Sequence, residues 1–398
     1  MARYLYALAT VLFAAVAASV TTDGPAPVCL WPSACHEQHN PSEHVILHIF
    51  PNGGNNTVSN AVAVRVLRTI NSTVLASIRE FLFPHIYPQR TRAHHRYYRL
   101  FDHLGRRLAS TSLIGELSRV YLVSKLERWI WPGNYVGYRV RVPLSLSVQP
   151  LHSHYVELET VSLVPRVFRV HHLLSDLECD EITRVAQHNQ MVKSYMLRKT
   201  DNGDEIFYDE SRTSKTLWLR DEWHPFIRAF HKRATEITRV DERVLGHCAE
   251  ELQVIHYGQH EHYHSHIDVF DKKDFPNSPT IQAGVARLLT MLVYLNDVEE
   301  GGETIFPHGG GPELNPYPLS ETNTLPSADC SRGLKIKPQK GTAMLWYNLL
   351  ADGHMAGEVD RSTLHAGCDV LRGEKWAANY WISNMDRLTT VAPAYPED

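Results

Sequence analysis

Apolar and polar residues alternate with a two-residue period over much of this chain. "HVILHIF" (44–50), "AVAVRVL" (61–67), "YVGYRVRV" (135–142) and "HYVELETVSLV" (154–164) each put every second side chain on one apolar face. That is the pattern of half-buried β-strands. "NSTVLASIREFLF" (71–83) departs from it, with helical spacing behind a candidate N-cap. "NPSEH" (40–44) and "FPNGGNN" (50–56) read as turns. No charged or nucleophilic constellation occurs in this region. Residues 23–162 are expected to form a small β-rich accessory module, and the sequence does not say what it binds.

Around Pro165 the pattern changes. "SDLECDEITRVAQHN" opens with Ser175 as an N-cap and Glu178 three residues on, a capping box leading into an amphipathic helix. A hairpin is expected where "SYMLRKT" and "EIFYDE" flank the turn "DNGD" (201–204). "DEWHPFIRAFHKRATEIT" (221–238) predicts a second helix before the strand "ELQVIHYG". From there to Trp381, short apolar runs are separated by Gly- and Pro-rich turns. The expected fold class is mainly β with supporting helices: a two-sheet jelly roll, or double-stranded β-helix, over 163–386. Residues 308–329 make a long polar loop on it, and loops of that length usually have a function or lack order.

The bulk composition narrows the setting. At 398 residues the chain has room for two domains. A net charge of −4 offers no basic surface for phosphates, which argues against a nucleic-acid partner. Residues 1–22 read as a leader: Arg3 precedes an apolar run from Tyr4 to Val20 that ends in small residues. Its length fits a cleaved signal peptide or a retained single membrane anchor, and either orients the remainder into the lumen. Sequons at Asn55-Asn56-Thr57 and Asn71-Ser72-Thr73 agree with that exposure. Among the six cysteines, Cys29 and Cys35 are close enough for a small loop, and Cys330 with Cys368 is the second pairing to expect. Residues 387–398 are a C-terminal tail.

Candidate chemistry lies in "HYHSHIDVF" and "STLHAGCDV". Side chains two apart on a strand point the same way, so His266 and Asp268 can aim an imidazole and a carboxylate at one point. His365 from a distant strand would complete a two-His-one-carboxylate face suited to Fe(II). His262 and His264 share that parity but read as solvated positions.

"YGQHEHYHSHID" (257–268), "RLLTMLVYLNDVEEGGETIFP" (287–307), "GLKIKPQKGTAMLWYN" (333–348) and "STLHAGCDVLRGEKWAANYWI" (362–382) resemble, in order, the blocks of prolyl 4-hydroxylase catalytic domains. Those are Fe(II)/2-oxoglutarate dioxygenases, and the likeness is greatest to their transmembrane, endoplasmic-reticulum type. "DESRTSKTLWL" (209–219) resembles the mobile segment over their peptide groove, placing Arg212 and Trp218 in a substrate lid. There are departures: His260 and Glu261 stand where many members have paired glycines, and no calcium-binding EF-hand pair is present.

The resemblance implies His266, Asp268 and His365 as iron ligands. Lys375 would be the cation for the distal carboxylate of 2-oxoglutarate, with Tyr257 and Tyr294 as hydrogen-bonding phenols and Trp381 as a pocket wall. Tyr257, Tyr294 and Trp381 are equally readable as core aromatics. The resemblance further implies O2 as co-substrate, L-ascorbate as reductant, a proline-containing peptide as substrate and a lumenal location. A related dioxygenase acting on another residue or a small molecule, and a silent metal-binding module, are the alternatives. A zinc hydrolase would want a general-base Glu and has no use for Lys375. Oligomeric state is not legible.

Overall fold

The computed structural model describes residues 28–29, 44–53, 61–67, 98–108, 119–124, 128–145, 153–200, 203–220, 224–240, 247–321, 329–350 and 358–387. The leader, both sequons, Cys35, the helix expected at 71–83 and residues 388–398 of the tail lie outside these. The chain divides into two units, Met1–Pro132 and Gly133–Asp398.

In the first unit the described strands are β1 (Val28–Cys29), β2 (His44–Pro51), β3 (Val62–Leu67), β4 (Tyr98–Phe101) and β5 (Arg119–Ser124). They form one sheet in the order β1-β3-β2-β5-β4. Val120 to Val123 are buried with Leu47, Ile49 and Phe50, and Trp129 stands edge-on to Tyr121 at 5.2 Å and to Trp131 at 5.7 Å. Buried Asn52 donates to the Arg128 carbonyl and accepts from the Ile130 N–H, so both ends of its amide are used.

The second unit contains β6 (Arg139–Pro143), β7 (Tyr155–Leu163), β8 (Arg166–His171), α1 (Asp176–His188), β9 (Val192–Lys193), β10 (Met196–Thr200), β11 (Gly203–Phe207) and β12 (Lys215–Leu219). There follow α2 (Pro225–Thr238), β13 (Leu252–Tyr257), β14 (Tyr263–His266), α3 (Pro279–Gln282), β15 (Arg287–Tyr294), β16 (Glu300–Gly301) and β17 (Thr304–Phe306). The last strands are β18 (Leu334–Ile336), β19 (Ala343–Tyr347), β20 (His365–Gly367), β21 (Val370–Arg372) and β22 (Lys375–Ser383). A major sheet runs β6-β7-β8-β19-β15-β22-β13-β12-β9, and a minor sheet β14-β20-β17-β18. Every pairing in both sheets is antiparallel. This is the expected two-sheet jelly roll, and Phe306, Ile336, Tyr294 and Trp346 fill the space between the sheets.

Two placements differ from the sequence reading. "HYVELETVSLV" forms β7 as expected, with alternate residues Val156, Leu158, Thr160 and Ser162 buried. That strand pairs with β8 across the turn at Pro165, so the boundary drawn at 162/163 passes through a hairpin of the second unit. Of "YVGYRVRV" only its last four residues belong to the strand Arg139–Pro143, because Gly137 adopts φ +88° in a turn that leaves Tyr135 and Val136 exposed.

The supporting helices are fixed by polar groups at their ends. Ser175 Oγ accepts from the Glu178 N–H, and the Glu178 carboxylate accepts from the Ser175 N–H, giving the expected capping box. The other Glu178 oxygen accepts from Arg233 of α2 at 2.7 Å, and Arg233 also donates to the Leu173 carbonyl. Phe230 of α2 meets Tyr380 of β22 edge-on at 5.2 Å, which seats the helix layer on the major sheet. The long loop after β17 is pinned by the 2.7 Å bond between His308 Nδ1 and the Tyr317 carbonyl, and by a Cys330–Cys368 disulfide, the second pairing expected from the sequence.

Because Glu178 and Arg233 are both buried, removing one partner strands the other charge. Arg233→Ala is therefore expected to destabilise the chain by about 3–5 kcal/mol. Ser175→Ala should cost about 1 kcal/mol, the worth of a cap. Chemical denaturation of the two variants beside the parent checks both size and order.

Candidate active site

His266, Asp268 and His365 converge at one point between the sheets, their ligand atoms all within 4.8 Å of one another. The two histidines are direct cross-strand partners on β14 and β20, with ring centroids 4.3 Å apart. Asp268 was expected to share a strand with His266, but β14 ends at His266 and the carboxylate comes from the turn that follows. The carboxylate still reaches the cluster, since Asp268 stands only two residues beyond the end of the strand.

Each ligand is aimed by a second contact. His266 Nδ1 bonds the His264 carbonyl at 2.8 Å, and His365 Nδ1 bonds the Thr363 carbonyl at 2.9 Å. A carbonyl only accepts, so both Nδ1 atoms carry the proton and both Nε2 lone pairs face inward. Those Nε2 atoms lie 3.7 and 3.8 Å from the Asp268 carboxylate. Asp268 Oδ2 accepts from Thr290 Oγ1 at 2.7 Å and from Trp381 Nε1 at 3.1 Å.

Protonation matches what a metal requires. Burial, aided by the neighbouring His365, holds the His266 imidazole well below its ordinary range. Burial alone would raise Asp268, but His365, His266, Arg287 and the Thr290 hydroxyl together outweigh it and keep the carboxyl ionised. A neutral His266 imidazole beside an ionised Asp268 carboxylate suits binding of a divalent cation. Nitrogen and oxygen donors on one face suit Fe(II) with positions left open.

Lys375, which opens β22, is 3% exposed. Its Nζ sits 5.4 Å from the centre of the Tyr257 ring and 5.8 Å from that of Tyr294, and among the described residues no carboxylate reaches ion-pairing distance. Burial lowers its pKa to about 8, with the more distant Glu303 pulling the other way. A side chain at Gly367 would begin only 3.9 Å from both Nζ and the Tyr257 hydroxyl, so the glycine leaves room at the ammonium. A buried cation with free space and no counter-charge fits a carboxylate supplied from outside. Tyr294 donates its hydroxyl to Thr304 Oγ1 at 2.8 Å, and Tyr257 is held by burial beside Lys375.

The remaining expected residues adjoin the cluster through aromatic contacts. Arg212 lies over the Tyr263 ring at 4.6 Å, and Tyr263 stacks on His266 at 3.7 Å. Trp218 belongs to β12, paired on both sides within the major sheet, and its ring is 5.9 Å from Trp381. The pattern-based reading did not single out Tyr263, Thr290, Trp346, Asn348, Arg287 or Glu250. Arg287 stacks on Trp381 at 3.7 Å and makes two hydrogen bonds to Glu250. The signal for Thr290 was a hydroxyl inside an otherwise apolar run, "RLLTMLVY".

A profile of the 2OG-Fe(II) oxygenase superfamily matches residues 252–383, the span from β13 to β22. Probable prolyl 4-hydroxylase 6 of Arabidopsis thaliana is 33% identical over 241 residues, covering 60% of this chain and 74% of that protein. Transmembrane prolyl 4-hydroxylase of Mus musculus is 38% identical over 191 residues, 44% of this chain and 38% of its own length. Among solved structures, a viral collagen prolyl hydroxylase from Paramecium Bursaria Chlorella virus-1 aligns with 55% of this chain and 95% of its own at 27% identity, with a TM-score of 0.37.

The depressed pKa of Lys375 sets a pH dependence. Its ammonium is needed to hold an anion, so affinity for 2-oxoglutarate should decline as pH rises through about 8, by up to about tenfold per unit. Lys375→Arg, charged throughout, should flatten that decline whatever its absolute affinity. Because the unfolded chain keeps the proton to higher pH, the ligand-free protein should gain stability from this group between pH 8 and 10.5. Calorimetric titrations and melts across that range check both signs.

Proposed function

The chain belongs to the prolyl 4-hydroxylase family, and from that premise we propose that it hydroxylates C4 of prolyl residues in a peptide or protein. The reaction consumes O2 and 2-oxoglutarate and releases succinate and CO2. The observation that carries this reading is the buried Lys375, with no carboxylate at ion-pairing distance among the described residues, on the same barrel as the cluster of His266, Asp268 and His365.

When bound, Fe(II) supplies the oxygen-activating redox chemistry. The residues divide the remaining work. His266, Asp268 and His365 would hold the metal, and their carbonyl and hydroxyl partners orient the two imidazoles and the carboxylate. Lys375 pairs with the distal carboxylate of 2-oxoglutarate, while Tyr257 and Tyr294 line that end of the pocket and exclude water. Trp381 donates to Asp268 and closes the wall between metal and rim. Arg212 and Trp218 border the entrance, where the peptide would approach through the segment 209–219.

L-ascorbate belongs to the proposal as the reductant for iron oxidised without a peptide in place. So does a lumenal, endoplasmic-reticulum setting with a cleaved leader or single anchor. The apolar run at 4–20, the two sequons and the Cys330–Cys368 pairing support it.

The test is to incubate the full chain with Fe(II), 2-oxoglutarate, ascorbate and proline-rich peptides, following succinate and hydroxyproline together. Succinate with hydroxylated peptide is expected. Succinate alone would move the substrate elsewhere, and neither product from iron-loaded protein would refute the enzyme reading. His365→Ala should abolish both products. Lys375→Ala should chiefly raise the 2-oxoglutarate requirement, by at least about 30-fold, the usual loss when a buried charge pair is cut.

A further inference from the structure

A single row of residues crosses three adjacent strands of the major sheet behind Asp268. Trp346 on β19 is the register partner of Thr290 on β15, and Thr290 is the register partner of Trp381 on β22. Opposite residues of an antiparallel pair face the same side of the sheet. Asn348, two residues past Trp346, joins the row from the same face. Thr290, Trp346 and Asn348 are each fully buried, so none can exchange its partner for water.

The hydrogen bonds along this row have one allowed direction. Trp346 Nε1 is a donor only, and it lies 2.8 Å from Asn348 Oδ1. That fixes the Asn348 amide with its NH2 towards Thr290 Oγ1, at 2.9 Å. Thr290 Oγ1 accepts there, and its own proton is directed to Asp268 Oδ2 at 2.7 Å. A second donor, Trp381 Nε1, reaches the same oxygen at 3.1 Å, with its ring held under Arg287, itself bound to Glu250. A carboxylate oxygen offers about two lone-pair sites, and both on Oδ2 are taken. Distance does not separate the two oxygens, since Oδ2 is 3.8 Å from His365 Nε2 and Oδ1 is 3.7 Å from His266 Nε2. Hydrogen bonding does.

We propose that Thr290, oriented by Asn348 and Trp346, is a positioning residue that confines Asp268 to binding the metal through Oδ1 alone. The proposal rests on the metal-centre reading above. Its consequence is one more open coordination position than a carboxylate binding through both oxygens would leave. A centre that must accept two donors of 2-oxoglutarate and also O2 needs every such position.

The test uses the full chain loaded with Mn(II) in place of iron. Water-proton relaxation counts the exchangeable waters on the metal, and calorimetry measures 2-oxoglutarate binding to the loaded protein. Thr290→Val keeps the shape and removes the hydroxyl. It should lose about one of roughly three bound waters, the number left by three protein ligands in octahedral geometry. It should also bind 2-oxoglutarate at least about tenfold more weakly, while Thr290→Ser restores both values. Asn348→Leu leaves Thr290 in place but frees its hydroxyl to rotate, and must shift both readouts the same way, which keeps the test open if Thr290→Val does not fold. A role confined to packing would lower the melting temperature of the variants without changing the water count. Wild-type water count and 2-oxoglutarate affinity in Thr290→Val and Asn348→Leu would overturn the proposal. Wild-type protein that takes up no Mn(II) would instead refute the metal-centre reading on which it rests.

Discussion

An ionised carboxylate held away from water is the constraint around which the second unit is arranged. Burying a charge is costly unless hydrogen bonds or opposite charges replace its hydration. Asp268 receives two donors on one oxygen, a nearby Arg287 and two flanking imidazoles. Those partners come from β14, β15, β20 and β22, in both sheets. None is near Asp268 in sequence except His266. Once buried, the carboxylate keeps its charge because partners from both sheets replace the water it has lost.

Lys375 presents the opposite case. It is as deeply buried as Asp268, on the same strand as Trp381 and facing the same way, yet it has two aromatic rings beside its ammonium and no carboxylate at ion-pairing distance among the described residues. Ring faces attract a cation only modestly and do not replace a counter-ion. Burial consequently depresses this lysine, whereas Asp268 remains charged despite burial. One charge is satisfied internally and the other is left to a ligand. That asymmetry separates a site that binds a dicarboxylate from one that holds a metal for structure alone.

Much of this was legible beforehand, for identifiable reasons. The capping box at Ser175 and Glu178 is a local signal, and local hydrogen bonds formed as read. The triad was legible because metal ligands must be His, Asp or their like, and "HSHID" sets His266 and Asp268 two residues apart. The jelly roll followed from repeated short apolar runs between turns. What escaped the pattern was long-range. Thr290 in "RLLTMLVY" and Asn348 after "AMLWY" look like ordinary interruptions of apolar strands, and only the β19-β15-β22 register brings them into line behind Asp268. The Arg287–Glu250 pair spans 37 positions and carries no local trace. Strand β7 was assigned to the wrong side of a boundary because alternation shows that a strand exists but not which sheet takes it.

The division of labour between the sheets also limits how they can move. The minor sheet carries both imidazoles on the β14–β20 pair, while the major sheet carries Lys375, Thr290 and Trp381. A slip of one residue in β20 would turn His365 outwards, since side chains alternate faces. Ala366 and Cys368 lie with Ile305 in a small buried cluster, and the Cys330–Cys368 bond ties the end of the long loop to the chain just beyond β20. Phe306 and Trp346 pack on the His365 ring at 5.7 and 4.8 Å, bridging the sheets at the ligand itself. The same aromatic core that fills the barrel thus fixes the spacing between the imidazoles and the row behind Asp268. Packing and chemistry here are one geometric requirement, because a barrel loose enough to slide would no longer bring three donors to a single point.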